Sequence, residues 1–155
     1  MLSTAQIGKC GELLVQYRLL LQGVESSHMS TDTGIDLVAY SPRATQPVTL
    51  QVKTNLKAKP GGGKGKLALD WWIPEFTPAH FVALVDLSNE HVWLMSPAEL
   101  AVHAQQRSSG RLHIYMYTDE TARPRRTDRL SMHQHFDAFR LENRSEKIFG
   151  LLNFS

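Results

Sequence analysis

Two nearly uninterrupted apolar runs, "HFVALVDL" at residues 80–87 and "HVWLMS" at residues 91–96, stand on either side of the short polar turn "SNE". Runs of this length, rich in valine, leucine and aromatic residues and bounded by turn residues, read as two buried strands of a sheet. A buried sheet needs other elements laid over it, and the rest of the chain supplies them. Residues 3–22 read as a helix, with Ser3 and Gln6 as a capping box and Gly23 at the C-terminal stop. Residues 97–106 read as a second helix with Ser96 as N-cap and Glu99 three residues on, and the stretch from Ser131 through "EKIFGLLNF" carries a helical pattern. Further strands are expected at "GIDLVAY", "VTLQVKT", "LALDWW" and "RLHIYMYT", with "GVESSHMSTDTG" as a polar connection. The order predicts one mixed α/β domain over 1–155, a sheet flanked by helices.

The chain has 155 residues, 42% of them hydrophobic and 21% charged, as in an ordinary globular protein. Cys10 is the only cysteine, which excludes a disulfide framework and a thiolate metal cluster within one chain. No apolar run approaches the roughly 18 residues of a membrane span, and the N-terminus lacks a basic head followed by an unbroken apolar stretch. The expectation is a cytoplasmic protein. Net charge is only +2, but its distribution is uneven. Five of the seven lysines (Lys53, Lys57, Lys59, Lys64, Lys66) fall in one stretch without an acid, and Arg123, Arg125, Arg126 and Arg129 form a second cluster. Such clusters suit phosphate backbones, and they equally suit solvated loops.

On the first helix Ile7, Leu14 and Leu21 form an apolar line, with Leu13, Tyr17 and Leu20 beside it. The other side holds Gly8, Gly11, Glu12, Val15 and Leu19. Each interior glycine costs about 1 kcal/mol relative to alanine, so the pair beside a glutamate suggests close packing on another backbone with Glu12 partly buried. Cys10 reads as a packed apolar residue.

"PGGGKGKLAL" superficially resembles a phosphate-binding P-loop, but its spacing is one residue short and Leu67 replaces the metal-binding hydroxyl. No glycine-flanked serine elbow appears, and His133 and His135 are only a weak zinc pair. One constellation remains. If "GIDLVAY" and "VTLQVKT" form a hairpin, Asp36 at the start of the first strand meets Gln51 and Lys53 at the end of the second. Glu12 on a neighbouring helix could add a second carboxylate. Magnesium takes hard oxygen ligands and keeps several waters, so one or two carboxylates plus a substrate phosphate suffice.

These residues resemble the PD-(D/E)XK nuclease superfamily, the restriction-endonuclease-like fold, and are most similar to archaeal Holliday-junction resolvases and related small endonucleases. The resemblance rests on "GKCGELLVQYRLLLQG", "GIDLVAY" and "QVKT", about the first third of the chain. It implies a restriction-endonuclease-like mixed sheet flanked by helices and a Mg²⁺-dependent endonuclease acting on DNA, with Mn²⁺ as a substitute. Asp36 would be the central metal ligand, Glu12 and Gln51 would complete the metal shell, and Lys53 would be the catalytic lysine. Lys57, Lys59, Lys64, Lys66, Arg123, Arg125 and Arg126 would grip DNA phosphates. Trp71 and Trp72 could touch nucleic acid or serve packing or a dimer contact. Cutting both strands implies a homodimer or higher homo-oligomer. Gln51 departs from the usual Asp or Glu. An amide oxygen is a weaker ligand, with Glu12 the obvious compensator and Asp32 a distant second. A DNA-binding module that keeps the fold without the chemistry is the alternative, and a domain with no nucleic-acid role is a third reading.

Overall fold

A computed structural model describes residues 1–31, 33–44 and 46–150. Helix α1 (Thr4–Leu21) opens the chain, and both halves of the Ser3–Gln6 capping box are formed. Strands β1 (Glu25–His28), β2 (Leu37–Tyr40) and β3 (Val48–Asn55) follow as an antiparallel meander. The chain then builds β4 (Lys59–Pro60) and β5 (Leu67–Pro74) before returning to β6 (Phe81–Asp86), which lies parallel to β3, and β7 (His91–Met95). Helix α2 (Pro97–His103), strands β8 (Gln106–Ser108) and β9 (Arg111–Tyr117), a 3₁₀ helix (His133–Phe139) and α3 (Leu141–Phe149) complete it. The result is a mixed five-stranded sheet, β1-β2-β3-β6-β7, and an antiparallel four-stranded sheet, β4-β5-β9-β8.

The alternation of β6 explains the apolar run that opened the sequence reading. Ala83 and Val85 pack with Val15 and Leu19 of α1 and Phe149 of α3. Val82 and Leu84 pack with Leu69, Trp71, Ile114 and Met116 of the second sheet. Strand β6 is thus buried on both faces, one under helices and the other under a sheet. The polar turn beyond it is held by Asp86, which is buried and accepts from Ser88 N, Ser88 Oγ and Asn89 Nδ2 at 3.1, 2.8 and 2.9 Å.

Several sequence expectations change. Helix α1 does pack on the side expected, burying Gly11, Val15 and Leu19, and it leaves Leu13, Tyr17, Leu20 and Leu21 exposed. The reason is Gly11: a Cβ there would collide with the Thr54 side chain, so its absence lets α1 settle on β3. The neighbour at Gly11 is a side chain rather than a backbone, and Gly8 has nothing within 4 Å of a built Cβ. Cys10 is exposed, not packed, because it sits on the helix flank away from the sheet. The polar connection after α1 contains β1, whose "ESSH" sequence has no apolar alternation to announce it. Helix α2 stops at His103 because Gln106 begins β8. Helix α3 stops at Phe149, where Gly150 takes a left-handed conformation (φ 63°), and the remaining residues of "GLLNF" lie outside the described residues.

At the end of α2 nearest the central sheet, Arg144 of α3 donates to Glu99 Oε1 and to Leu94 O, both at 2.7 Å. Burial pushes the Glu99 carboxyl up, but the hydrogen bonds from Arg144 and Ser96 outweigh it and hold it below its ordinary value. No helix among the described residues is long and apolar enough to cross a membrane.

Candidate functional site

Asp36 immediately precedes β2, and the register Leu37↔Leu50 sets it beside the centre of β3. Its backbone is fixed on both sides, with Asp36 N donating to Leu50 O at 2.8 Å and Asp36 O accepting from Met29 N at 3.0 Å. Its Oδ2 accepts from Val52 N at 2.7 Å. Val52 lies between Gln51 and Lys53, so this carboxylate is pinned to the segment that the sequence reading singled out. A short bond to an ionised acceptor is among the stronger kinds of hydrogen bond and holds the group in one orientation.

Glu12 reaches the same region from α1. Its side chain is mostly buried, and Oε2 lies 3.0 Å from His28 Nδ1 of β1 and 3.6 Å from Lys9 Nζ. Lys9 Nζ is also 3.2 Å from His28 Nδ1. With a proton on Nδ1 the ring donates to Glu12; with Nδ1 bare it accepts from Lys9. Glu12 and Asp36 line one cavity of about 360 Å³ together with Lys9, His28 and Thr31. Lys9 and His28 are functional candidates that sequence reasoning missed. The i,i+3 spacing of Lys9 and Glu12 on a helix is a readable signal. His28 had none, since β1 itself was invisible.

The structure does not gather the other two residues as closely. Gln51 and Lys53 pair with Val82 and Leu84, so they project to the face that carries the second sheet. Val52 and Thr54 project to the α1 face, where Glu12 stands. Gln51 is buried, and its Oε1 accepts from Thr77 Oγ1 at 3.0 Å. Lys53 is half-buried on the same face of β3. Asp36, in the plane of the sheet and bonded to Val52 N, is the link between the two faces.

Two carboxylates on one cavity are hard oxygen donors of the kind magnesium takes, and they leave room for waters and a phosphate. Glu12 and Asp36 are of the donor type that such an ion takes, and both line the cavity. Gln51 Oε1 keeps a second lone pair beside the Thr77 bond, but its side chain projects to the other face of β3. Among the described residues no group of three His, Cys, Asp or Glu is arranged to hold a metal. Asp32 lies outside the described residues.

The basic segments also take definite shape. Lys59 pairs with Ala68 as part of a β4–β5 hairpin, so the stretch is not wholly a loop. A 3₁₀ turn at Gly61–Gly63 closes it, held by Gly61 N to Lys66 O at 2.9 Å, with Gly62 and Gly63 at positive φ. Lys57, Lys59, Lys64 and Lys66 are exposed around this hairpin. In the second cluster Arg123, Arg125 and Arg126 are exposed, and Arg126 is paired with Asp128 at 2.7 Å. That pairing offsets part of the charge expected there. Trp71 is a core residue, set edge-on to Trp93 with ring centroids 6.0 Å apart. Trp72 is exposed on the opposite face of β5.

No protein-family model matches the chain, and no curated protein matches it. Among solved structures, a bacterial homing endonuclease, I-Ssp6803I, is similar over 97% of this chain and 94% of its own, with a TM-score of 0.61 at 18% sequence identity. The mixed α/β class expected from the sequence is the one observed, and the fold is nuclease-like in sharing the architecture of that endonuclease.

Proposed function

We propose that the chain is a metal-dependent DNA endonuclease of the PD-(D/E)XK type with a glutamine at the second motif position. The observation that carries this reading is Asp36, fixed by Val52 N between Gln51 and Lys53 while lining one cavity with Glu12. In it, Asp36 and Glu12 hold Mg²⁺, or Mn²⁺ in its place. The ion when bound lowers the pKa of a water and offsets charge on the scissile phosphate. Lys53 steadies the phosphate oxygens as negative charge builds on them. His28 and Lys9 keep Glu12 turned toward the cavity. Similarity to an endonuclease supports DNA as the substrate. The exposed lysines and arginines supply the counter-charge for its backbone. Cutting both strands calls for two such sites, hence a homodimer or higher homo-oligomer.

A second reading is favoured by one specific contact. Gln51 Oε1 accepts from Thr77, and Gln51 and Lys53 project to the face of β3 opposite Glu12. A DNA-binding module with the nuclease fold but no chemistry would look like this. Nicking of supercoiled plasmid with Mg²⁺ or Mn²⁺ separates the two. Metal-dependent nicking that falls by about 10²–10³-fold in Lys53→Ala supports the enzyme. Steeply salt-dependent DNA binding by wild-type protein that never cuts selects the binding module.

A further inference from the structure

Strand β9 distributes its side chains unequally. Leu112, Ile114 and Met116 point into the core, while His113, Tyr115 and Tyr117 line up on the outer face of the second sheet. Across the ladder, Trp72 stands opposite His113, and their rings stack at 4.2 Å with an angle of 4° between planes. Asp70 Oδ2 lies 3.0 Å from His113 Nε2, which fixes that ring from its other end. Tyr115 and Tyr117 then continue the row, their rings edge-to-face at 5.5 Å. The core does not require these rings, because the inward residues already fill it.

Two cavities meet on this row. One of about 590 Å³ is bounded by Lys59, Gly61–Gly63, His113, Tyr115 and Tyr117. Its neighbour of about 400 Å³ is bounded by Tyr115, Tyr117, Arg123, Arg125 and Arg129. Tyr115 and Tyr117 belong to both, so an aromatic floor runs between a lysine hairpin on one side and an arginine loop on the other. Flat rings with cations flanking them suit a base lying on the floor and phosphates at its edges. An aliphatic partner would have no use for cations on both sides.

We propose that this face is a second nucleic-acid site, separate from the carboxylate cavity, that stacks unpaired nucleobases on Tyr115 and Tyr117. Lys59 and Arg125 hold the flanking phosphates. This rests on the reading of DNA as substrate and deepens it: the preferred substrate carries a strand-separated or branched segment. A fully paired duplex hides its base faces in its own stack and cannot use the tyrosines.

The test is binding of a 15-nucleotide oligothymidylate carrying one 2-aminopurine, measured in EDTA with full-length protein. Stacking of the probe base quenches its fluorescence. Wild type should bind and quench, with affinity for the single strand above that for the matched duplex. Tyr117→Leu should weaken binding by roughly 5- to 150-fold, which corresponds to about 1–3 kcal/mol per stacked base, and should relieve the quench. Tyr117→Phe, which keeps the ring, should match wild type. Arg125→Gln, an exposed change with no core to disturb, should lower the salt dependence of log K by about 0.7. The proposal is overturned if wild type ignores the single strand, or if it binds without quenching. It is equally overturned if Tyr117→Leu, folded by its melting curve, binds and quenches like wild type, or if Arg125→Gln leaves the slope unchanged. Because no metal is present, the outcome is independent of cleavage: a protein that cuts duplex DNA but fails here keeps its nuclease reading and loses this one.

Discussion

The carboxylate cavity and the outer face of the antiparallel sheet are built on different terms. The cavity is the smaller, about 360 Å³, and its acids are held by bonds from a strand amide and a histidine, between α1 and the central sheet. The sheet face is aromatic, its row ordered by ring contacts and the Asp70–His113 pair, and its cations lie on a hairpin and a loop. One region is suited to holding charge in a set position, as bond cleavage demands. The other is suited to gripping a polymer whose exact register varies. On the proposed reading as an endonuclease, separating the two lets the grip change without moving the chemistry.

The division can be broken at several points. The largest effects belong to Lys53→Ala for cleavage and Tyr117→Leu for single-strand binding, the first silent in the binding assay. Next comes His28→Ala. Removing the partner that orients Glu12 should weaken metal affinity about 10- to 100-fold, read from the Mn²⁺ dependence of nicking, with oligothymidylate binding unchanged. An unchanged Mn²⁺ dependence would show that His28 does not serve the cavity.

Gly11→Ala tests how α1 delivers Glu12. Its Cβ would strike Thr54, whose Oγ1 is already buried without a partner among the described residues. Overpacking should cost about 1–3 kcal/mol by denaturant melts and reduce nicking, while the sheet face keeps its affinity. Gly8→Ala is the matched control. Nothing obstructs a Cβ there, so it should stabilise α1 by up to about 1 kcal/mol. If both substitutions destabilise equally, the seat of α1 is misread.

The smallest effect is acid sensitivity at the far end of the sheet. Glu99 has a folded pKa below its ordinary 4.5, held there by Arg144 and Ser96 against the opposing effect of burial. Its contribution to stability is therefore complete above about pH 4.5 and lost as pH falls through the lower folded value. No more than about 1 kcal/mol is at stake at a partly exposed pair. Wild type should lose its thermal-melt advantage over Glu99→Gln across this acid range, and neither functional region should respond selectively.

Much of the frame was legible in the sequence because capping and apolar run length are local signals. The boxes at Ser3–Gln6 and Ser96–Glu99 and the strands around Asp86 formed as read. The second sheet as a covering layer was not legible. A strand buried on both faces reads the same whether helices or strands cover it, and β4 is two residues long. The packed side of α1 was legible from Gly11 beside Glu12, but a side chain, Thr54, meets Gly11 where a backbone was expected, and Gly8 takes no part. At the site, Asp36 and Glu12 could be proposed from order along the chain. The Thr77 bond to Gln51 could not, because it joins residues 26 apart through the turn before β6.

The central claim is that Asp36 anchors a cleavage centre. Its most direct test is single-turnover cleavage of a branched DNA by wild type and Asp36→Ala at saturating protein, with DNA affinity measured in parallel. Expected are Mg²⁺- or Mn²⁺-dependent cleavage by wild type, none above background in the variant, and equal affinity for DNA. Undiminished cleavage in Asp36→Ala, or DNA binding by wild type with no cleavage under either metal, would contradict it.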